Sequence, residues 1–140
     1  MVIKIQKIDF DAIIPNYANE SDAGLDLYSV EDVILKPGER HAVKTGIKME
    51  IPEGYVGLIW DKSGLAVKNG AKTMAGVVDA GYRGEIKIVL INLGEEDFVI
   101  KKNSKIAQML IQKIEHPKIE IVSELNESQR GENGFGSTGL

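Results

Sequence analysis

Short runs of β-branched and apolar residues, many alternating with polar ones, recur along most of this chain. Glycine, proline, asparagine and aspartate bound the runs, and these residues favour reversal of the chain. The pattern predicts strands at residues 2–8, 25–30, 33–35, 41–45, 47–51, 55–60, 85–93, 98–100, 106–114 and 119–122. A single helical turn is expected at residues 65–68. Strands this short and closely spaced pack face to face, so we expect an all-β sandwich or jelly roll with almost no helix.

Composition limits what such a fold can do. The chain has 140 residues, 43% of them hydrophobic, which predicts one domain with an ordinary core. Its net charge of −4 argues against binding nucleic acid through bulk electrostatics. A phosphate ligand would therefore need local contacts, with Mg²⁺ as the expected counter-ion. Cysteine is absent and every apolar run is too short to cross a membrane, so we predict a cytoplasmic protein that binds no membrane.

The C-terminal residues 130–140 combine glycines with groups that bind anions and flat rings. The glycines are interleaved with Arg130, Phe135, Ser137 and Thr138. A guanidinium and free backbone amides bind phosphate oxygens, and an aromatic ring stacks on a nucleobase. The segment therefore suits a nucleotide, although a frayed linker has a similar composition. Because the stretch before it is polar, we divide the chain into a β domain, residues 1–122, and a flexible arm, residues 123–140.

Two interior segments place polar groups where strands end. Residues 76–85, Gly-Val-Val-Asp-Ala-Gly-Tyr-Arg-Gly-Glu, predict a β-hairpin with Asp79 and Tyr82 near its bend. At residues 60–66, a strand end followed by a helix start offers Lys62, Ser63 and backbone amides to an anion. Both segments also have a purely structural interpretation, because aspartate commonly opens turns and Ser-Gly commonly caps helices.

Two predicted strands each carry one polar residue among apolar ones. Asp26 lies between two leucines, and Gln108 interrupts the run at 106–114. Either side chain is compatible with a position that faces solvent. The functional interpretation of Asp26 is a carboxylate that reaches a magnesium ion through water.

The five motifs of the trimeric dUTPases, the deoxyuridine triphosphate nucleotidohydrolases, resemble segments of this chain in the same order. The segments are 23–29 (Ala-Gly-Leu-Asp-Leu-Tyr-Ser), 62–66 (Lys-Ser-Gly-Leu-Ala), 76–85, 105–108 (Lys-Ile-Ala-Gln) and 130–139. The resemblance implies a distorted jelly roll and a homotrimer, in which each arm closes over a neighbour's site. It also implies Mg²⁺-dependent hydrolysis of dUTP to dUMP and pyrophosphate by attack of water at the α-phosphorus. That reaction would limit uracil incorporation into DNA and supply dUMP for thymidylate synthesis.

The resemblance assigns roles to individual residues. Asp79 matches the catalytic aspartate that deprotonates the attacking water, and Tyr82 matches the tyrosine that packs under the deoxyribose and excludes a 2′-hydroxyl. Asp26 would hold the water shell of magnesium. The other residues assigned to contacts with phosphate or uracil are Lys62, Ser63, Gly64, Thr73, Val77, Val78, Lys87, Gln108, Arg130, Phe135, Gly136, Ser137 and Thr138.

Three positions depart from the family pattern. Lys62 replaces the usual arginine and lacks its bidentate fork, which predicts weaker phosphate binding. Thr73 stands where some bacterial members place an asparagine on uracil, and its hydroxyl reaches less far. Gly81 replaces a second acid that the family often carries two residues after the catalytic aspartate, and we expect little consequence.

Two other functions are compatible with parts of this pattern. The dCTP deaminases share the fold, but Val89 occupies the position of their deaminating glutamate, so the proton shuttle is missing. A non-catalytic nucleotide sensor is the second alternative. Asp79 and the complete arm argue against it, because a binding protein needs neither a base nor a closing lid.

Overall fold

The computed structural model describes residues 1–136, so the predicted site residues Ser137 and Thr138 lie outside the described residues. Strands dominate that part of the chain. The strands are β1 Lys4–Lys7, β2 Leu25–Tyr28, β3 Val33–Leu35, β4 Arg40–Glu50, β5 Tyr55–Trp60, β6 Ala71–Met74, β7 Val77–Val78, β8 Glu85–Asn92, β9 Phe98–Ile100 and β10 Lys105–Lys113. Helix α1, Ser63–Asn69, lies between β5 and β6 and is longer than the predicted turn. Within residues 1–136, no helix is long and apolar enough to span a bilayer.

Two antiparallel sheets share one hydrophobic core. The first has the strand order β1-β4-β8-β6 and the second β2-β10-β5-β7, while β3 and β9 form a separate pair. Ile47 and Ile88 from the first sheet pack in the same cluster as Leu27 and Met109 from the second. The predicted all-β jelly-roll fold with almost no helix is confirmed.

Strand β8 shows why the alternating runs form strands. Ile86, Ile88 and Leu90 are buried, whereas Lys87 between them is exposed. Successive side chains of a strand point to opposite faces, so this pattern buries one whole face. Each fully buried side chain of this size contributes about 1.5–3 kcal/mol to folding.

Strand β4 is one strand, where the sequence predicts two that are separated at Gly46. Gly46 has φ of 67°, and the pairing of β4 with β8 shifts register between Lys44 and Lys48. A Cβ atom at Gly46 would lie 2.6 Å from the Cβ of Asp9. The glycine therefore forms a bulge inside a continuous strand, and the predicted break was wrong.

The hairpin predicted at residues 76–85 was also wrong in its pairing. Strand β7 pairs with β5 in the second sheet, and β8 pairs with β6 in the first. Between β6 and β7, Ala75 and Gly76 have φ of 59° and 115°. These left-handed residues form a corner that carries the chain from one sheet to the other, so β7 and β8 lie in different sheets.

No strand forms at residues 119–122, contrary to the prediction. Strand β10 ends at Lys113, and the described chain beyond it, 114–136, has no regular element. Ile119 and Ile121 are 94% and 97% exposed. The sequence pattern is that of a strand, but residues 1–136 supply no neighbouring strand to pair with it.

Buried Asn92 at the end of β8 joins three segments. Its Nδ2 donates to the carbonyls of Leu35 and Glu96, and its Oδ1 accepts the N–H of Gly94 at 2.8 Å.

Replacing Asn92 with alanine leaves these groups buried without partners, so we expect the free energy of unfolding to fall by about 3 kcal/mol. Denaturant unfolding measures the loss. The exposed Glu95→Ala variant is the control, and an equal loss in both variants would contradict the role of the amide.

Candidate active site

A cavity of about 310 Å³ opens between β7 of one sheet and β8 of the other. Ile59, Ile86 and Val89 are its apolar lining, and the chain from Met74 to Asp79 forms one rim. Tyr82, Glu85 and Lys87 complete the lining. The volume lies at the lower end of the range for small-ligand sites. Among the predicted site residues, the cavity brings together Val77, Val78, Asp79, Tyr82 and Lys87.

Strands β7 and β8 line this cavity without pairing with each other in the part of the chain that the structure describes. Strand β7 is the edge of its sheet, and β6 covers β8 only from Asn92 back to Val89. The first half of β8 therefore faces β7 across the cavity without a ladder between them, within residues 1–136. Unpaired backbone N–H and C=O groups need partners when they are desolvated. This cavity is suited to a flat ligand with donors and acceptors on its edges.

A tight turn places Asp79 and Tyr82 at the cavity. The N–H of Tyr82 donates to the main-chain carbonyl of Asp79 at 3.0 Å. The exposed carboxylate of Asp79 therefore takes no part in the hydrogen bond that closes the turn. The Tyr82 hydroxyl donates to the carbonyl of Glu85 at 3.0 Å, and its ring lies against Gly84. The Glu85 carboxylate accepts the N–H of Gly46, so it is directed toward β4.

A second group of predicted site residues surrounds the buried carboxylate of Asp26. Lys62 donates to Oδ1, and the Lys105 Nζ lies 2.7 Å from Oδ2. Burial pushes the pKa of Asp26 upward, but the two ammonium groups outweigh it and hold the pKa below its ordinary value. Lys105 was not predicted, although it opens the segment Lys-Ile-Ala-Gln. The position of Asp26 inside a strand gave no sign that two lysines converge on it.

Asp61 connects Thr73 and Gln108, the other two predicted residues of this region. Its Oδ1 accepts the backbone N–H of Thr73 at 2.6 Å and the Thr73 hydroxyl at 2.7 Å. Its carbonyl accepts Nε2 of Gln108 at 2.8 Å. Thr73 is buried and its hydroxyl is directed at Asp61, outside the residues that line the cavity. The sequence did not single out Asp61.

Helix α1 begins next to this group. Lys62 is its N-cap and provides no side-chain cap, so the first backbone amides, at Ser63 and Gly64, lack a capping side chain. Ser63 and Gly64 are both exposed. Ser63 and Gly64 thus offer backbone amides and a hydroxyl directly after Lys62, whose ammonium is bound to Asp26, and such amides can bind an anion.

The arm residues are separate from both groups in the single subunit. Arg130 donates through Nε to the carbonyl of Asn133 at 2.8 Å, and the ring of Phe135 is fully exposed. Gly136 has φ of 94° and open space around its Cα. The structure therefore assembles the cavity group and the Asp26 group, while Arg130, Phe135 and Gly136 make only local contacts among the described residues.

The similarity to known proteins extends over nearly the whole chain and includes the segments described above. The family model "dUTPase" matches residues 11–139. A deoxyuridine 5′-triphosphate nucleotidohydrolase of Clostridium kluyveri is 51% identical, with 99% of both chains covered. One from Clostridioides difficile is 49% identical over 99% of this chain and 98% of its own.

Solved structures with a similar fold include phage dUTPases. A mutant of the phage 80alpha dUTPase matches with a TM-score of 0.92 at 31% identity, covering 97% of this chain and 98% of its own. The Staphylococcus bacteriophage 80alpha dUTPase with dUpNHpp has a TM-score of 0.89 at 32% identity, with 99% of both chains covered. A mutant dUTPase from phage phi11 of S. aureus, described with a structural Mg(II) ion, has a TM-score of 0.83 at 29% identity and covers 89% of this chain and 98% of its own.

Proposed function

Because the chain belongs to the dUTPase family, we propose that it is a dUTP diphosphatase that hydrolyses dUTP to dUMP and pyrophosphate. The observation that carries this proposal is the cavity between β7 and β8, with the Asp79 carboxylate at its rim. Water attack at the α-phosphorus needs a base beside the bound nucleotide, and Asp79 is the carboxylate of the cavity that the turn leaves free. The reaction would limit uracil incorporation into DNA and supply dUMP for thymidylate synthesis.

Uracil fits the cavity through main-chain groups of β7 and β8. We expect main-chain groups of Val77, Val78 and Lys87, on the strand edges that line the cavity, to supply donors and acceptors at fixed positions. A base with the opposite pattern, such as cytosine, would bury unpaired polar groups, which costs about 1–3 kcal/mol each. Val89 contributes an apolar surface where a deaminase would need a carboxylate. Hydrolysis is therefore favoured over deamination.

Asp26 is the carboxylate that we assign to a magnesium ion held mainly by phosphate oxygens and water, although Lys62 and Lys105 pair with it in the described structure. No group of three metal-ligating side chains occurs within residues 1–136, and Mg²⁺ bound with a nucleotide needs only one or two protein carboxylates. The buried Oδ2 of Asp26 has no well-aligned hydrogen bond, despite Lys105 Nζ at 2.7 Å. When bound, the ion would screen the phosphate charge. Lys62 would contribute its ammonium to phosphate oxygens, beside Ser63, Gly64 and Gln108.

The Tyr82 ring is proposed to select the deoxyribose, and Gly84 makes room for that ring. A Cβ atom at Gly84 would lie 2.5 Å from Cζ of Tyr82 and would displace it. We expect Gly84→Ala to reduce the preference for dUTP over UTP by about tenfold or more, measured as the ratio of kcat/KM values. Gly81→Ala is the matched control, because a Cβ there meets nothing within 4 Å. An unchanged ratio in Gly84→Ala would contradict the role of the ring.

A homotrimer is proposed because the chain exposes an apolar segment that its own subunit does not cover. Ile119 and Ile121 alternate with Glu120 in the manner of a strand, yet both isoleucines are almost fully exposed. Pairing with a neighbouring subunit would bury them, and closed symmetric assemblies satisfy every copy equally. The arm, residues 123–140, would then start at the subunit interface and reach a neighbour's cavity with Arg130, Phe135, Ser137 and Thr138. The cytoplasmic location predicted from the sequence stays a prediction.

Replacing both Ile119 and Ile121 with serine should dissociate the trimer. The change removes the apolar surface that we expect to be buried between subunits, about 1.5–3 kcal/mol for each side chain. Light scattering at micromolar concentration would report a mass near that of one chain. Glu120→Ser is the control on the opposite side of the segment. A trimeric mass in the double variant would contradict the proposed contact.

Pyrophosphate release from dUTP, UTP, dCTP and dTTP, each with and without magnesium, tests the function directly. We expect rapid release from dUTP only, and only with the metal. Release of ammonia from dCTP would indicate a deaminase. Binding of dUTP without any pyrophosphate would indicate a nucleotide sensor.

A further inference from the structure

We propose that Asp61 is a positioning residue that aligns the phosphate-binding loop, residues 62–64, with β6 and β10. The inference rests on the function proposed above, because it assigns Lys62, Ser63 and Gly64 to the phosphates. It adds a residue to which no role has been given so far. Asp61 directly precedes the loop residues, and its main chain and side chain contact two different strands.

The contacts of Asp61 reach both sides of the loop. On one side, Oδ1 accepts two hydrogen bonds from Thr73 on β6, at 2.6 and 2.7 Å. On the other side, the carbonyl accepts Nε2 of Gln108 on β10 at 2.8 Å. A loop held from two strands cannot shift without breaking at least one of these bonds. The start of α1 at Ser63 is therefore placed relative to both strands by this one residue.

Asp61 also orients Gln108. One N–H of its amide group donates to the Asp61 carbonyl, which leaves the second N–H for a ligand oxygen. The Gln108 side chain packs closely on Gly24, because a Cβ atom there would lie 3.1 Å from Cβ and Cδ of Gln108. The amide is thus held between the Asp61 carbonyl and the backbone of Gly24, with one donor available.

The carboxylate is charged and well bonded. Burial pushes the pKa of Asp61 upward, but hydrogen bonds from Lys72 and from Thr73 outweigh it, so the pKa lies below its ordinary value. Hydrogen bonds to an ionised group are about twice as strong as those between neutral groups. The Lys72 ammonium, 2.7 Å from Oδ2, is half exposed, and such surface ion pairs contribute little. Lys72 is the larger cause of the lowered pKa, whereas the two bonds from buried Thr73 are the ones that we expect to hold the carboxylate in place.

The test compares Asp61→Ala, Asp61→Asn and wild type in the full-length protein. We expect Asp61→Ala to weaken binding of the analogue dUpNHpp, measured by calorimetry, by about tenfold or more, and to raise the KM for dUTP similarly. Asp61→Asn keeps an oxygen that accepts both hydrogen bonds from Thr73, so it should lose much less affinity for dUpNHpp than Asp61→Ala. If Asp61 had only a structural role, Asp61→Ala would have a lower melting temperature, but the affinities for dUpNHpp would not fall in the order wild type, Asp61→Asn, Asp61→Ala.

Two control variants separate alignment from stability. Ile100→Ala removes a buried side chain in β9, in the separate pair of strands, and should lower the melting temperature with unchanged affinity for dUpNHpp. Lys72→Met should have the same melting temperature and the same affinity for dUpNHpp as wild type. Unchanged affinity in Asp61→Ala, or equal losses in Asp61→Ala and Asp61→Asn, would overturn the proposal. A wild-type protein that binds dUpNHpp but releases no pyrophosphate would contradict the proposed function alone.

Discussion

Replacing Asp79 with asparagine is expected to lower kcat for dUTP hydrolysis by about two to four orders of magnitude. Asparagine has nearly the same shape but cannot accept the proton of the attacking water. The turn should survive, because its bond from the Tyr82 N–H goes to the main-chain carbonyl of residue 79. The cavity walls are unchanged, so dUTP should still bind. Pyrophosphate release and calorimetric binding of dUpNHpp measure the two properties separately.

The outcome for Asp79→Asn distinguishes an enzyme from a sensor. Loss of turnover with retained binding supports general-base catalysis. Glu53→Gln, which removes an exposed carboxylate outside the cavity lining, is the control and should behave as wild type. If Asp79→Asn releases pyrophosphate at the wild-type rate, Asp79 is not the base, and the proposed mechanism fails even if the protein is a dUTPase.

A chain that ends at Gln129 is expected to lose at least about a hundredfold in kcat/KM for dUTP. The deletion removes the Arg130 guanidinium, which we assign to the γ-phosphate, and the Phe135 ring, which we assign to uracil. Groups that close over a bound nucleotide and stabilise the charge on its phosphates contribute rate enhancements of this size. Initial rates over a range of dUTP concentrations give the loss.

The shortened chain should still assemble. Ile119 and Ile121 precede the deletion, so the proposed subunit contact is kept, and the described arm residues make only local hydrogen bonds. Light scattering should therefore give the same mass as for the full chain. The single variants Arg130→Lys and Phe135→Ala divide the effect between phosphate and base contacts. Wild-type kinetics in the shortened chain would show that the arm has no part in catalysis.

The sequence predicted strands well where alternation was long and clear. Strand β8 and the pair β3 and β9 follow the predicted runs closely, because a period of two buries one face wherever the strand lies in the sandwich. Strand β6 was missed. Ala71 and Thr73 are buried and Lys72 and Met74 exposed, but a run of four residues in which only Thr73 favours a strand gives little signal. Alternation at Ile119 and Ile121 predicted a strand that the single subunit cannot pair.

Sequence alone determined the class of fold, the order of the motif segments and the identity of the groups at the cavity, such as Asp79 and Tyr82. Local patterns contain this information, since strand period and turn residues are properties of neighbouring positions. Only the tertiary structure decided that β7 and β8 lie in different sheets, that two lysines converge on Asp26, and that Thr73 bonds to Asp61. Those relations join residues far apart in the chain, and they depend on which strands pair and where a left-handed corner redirects the backbone.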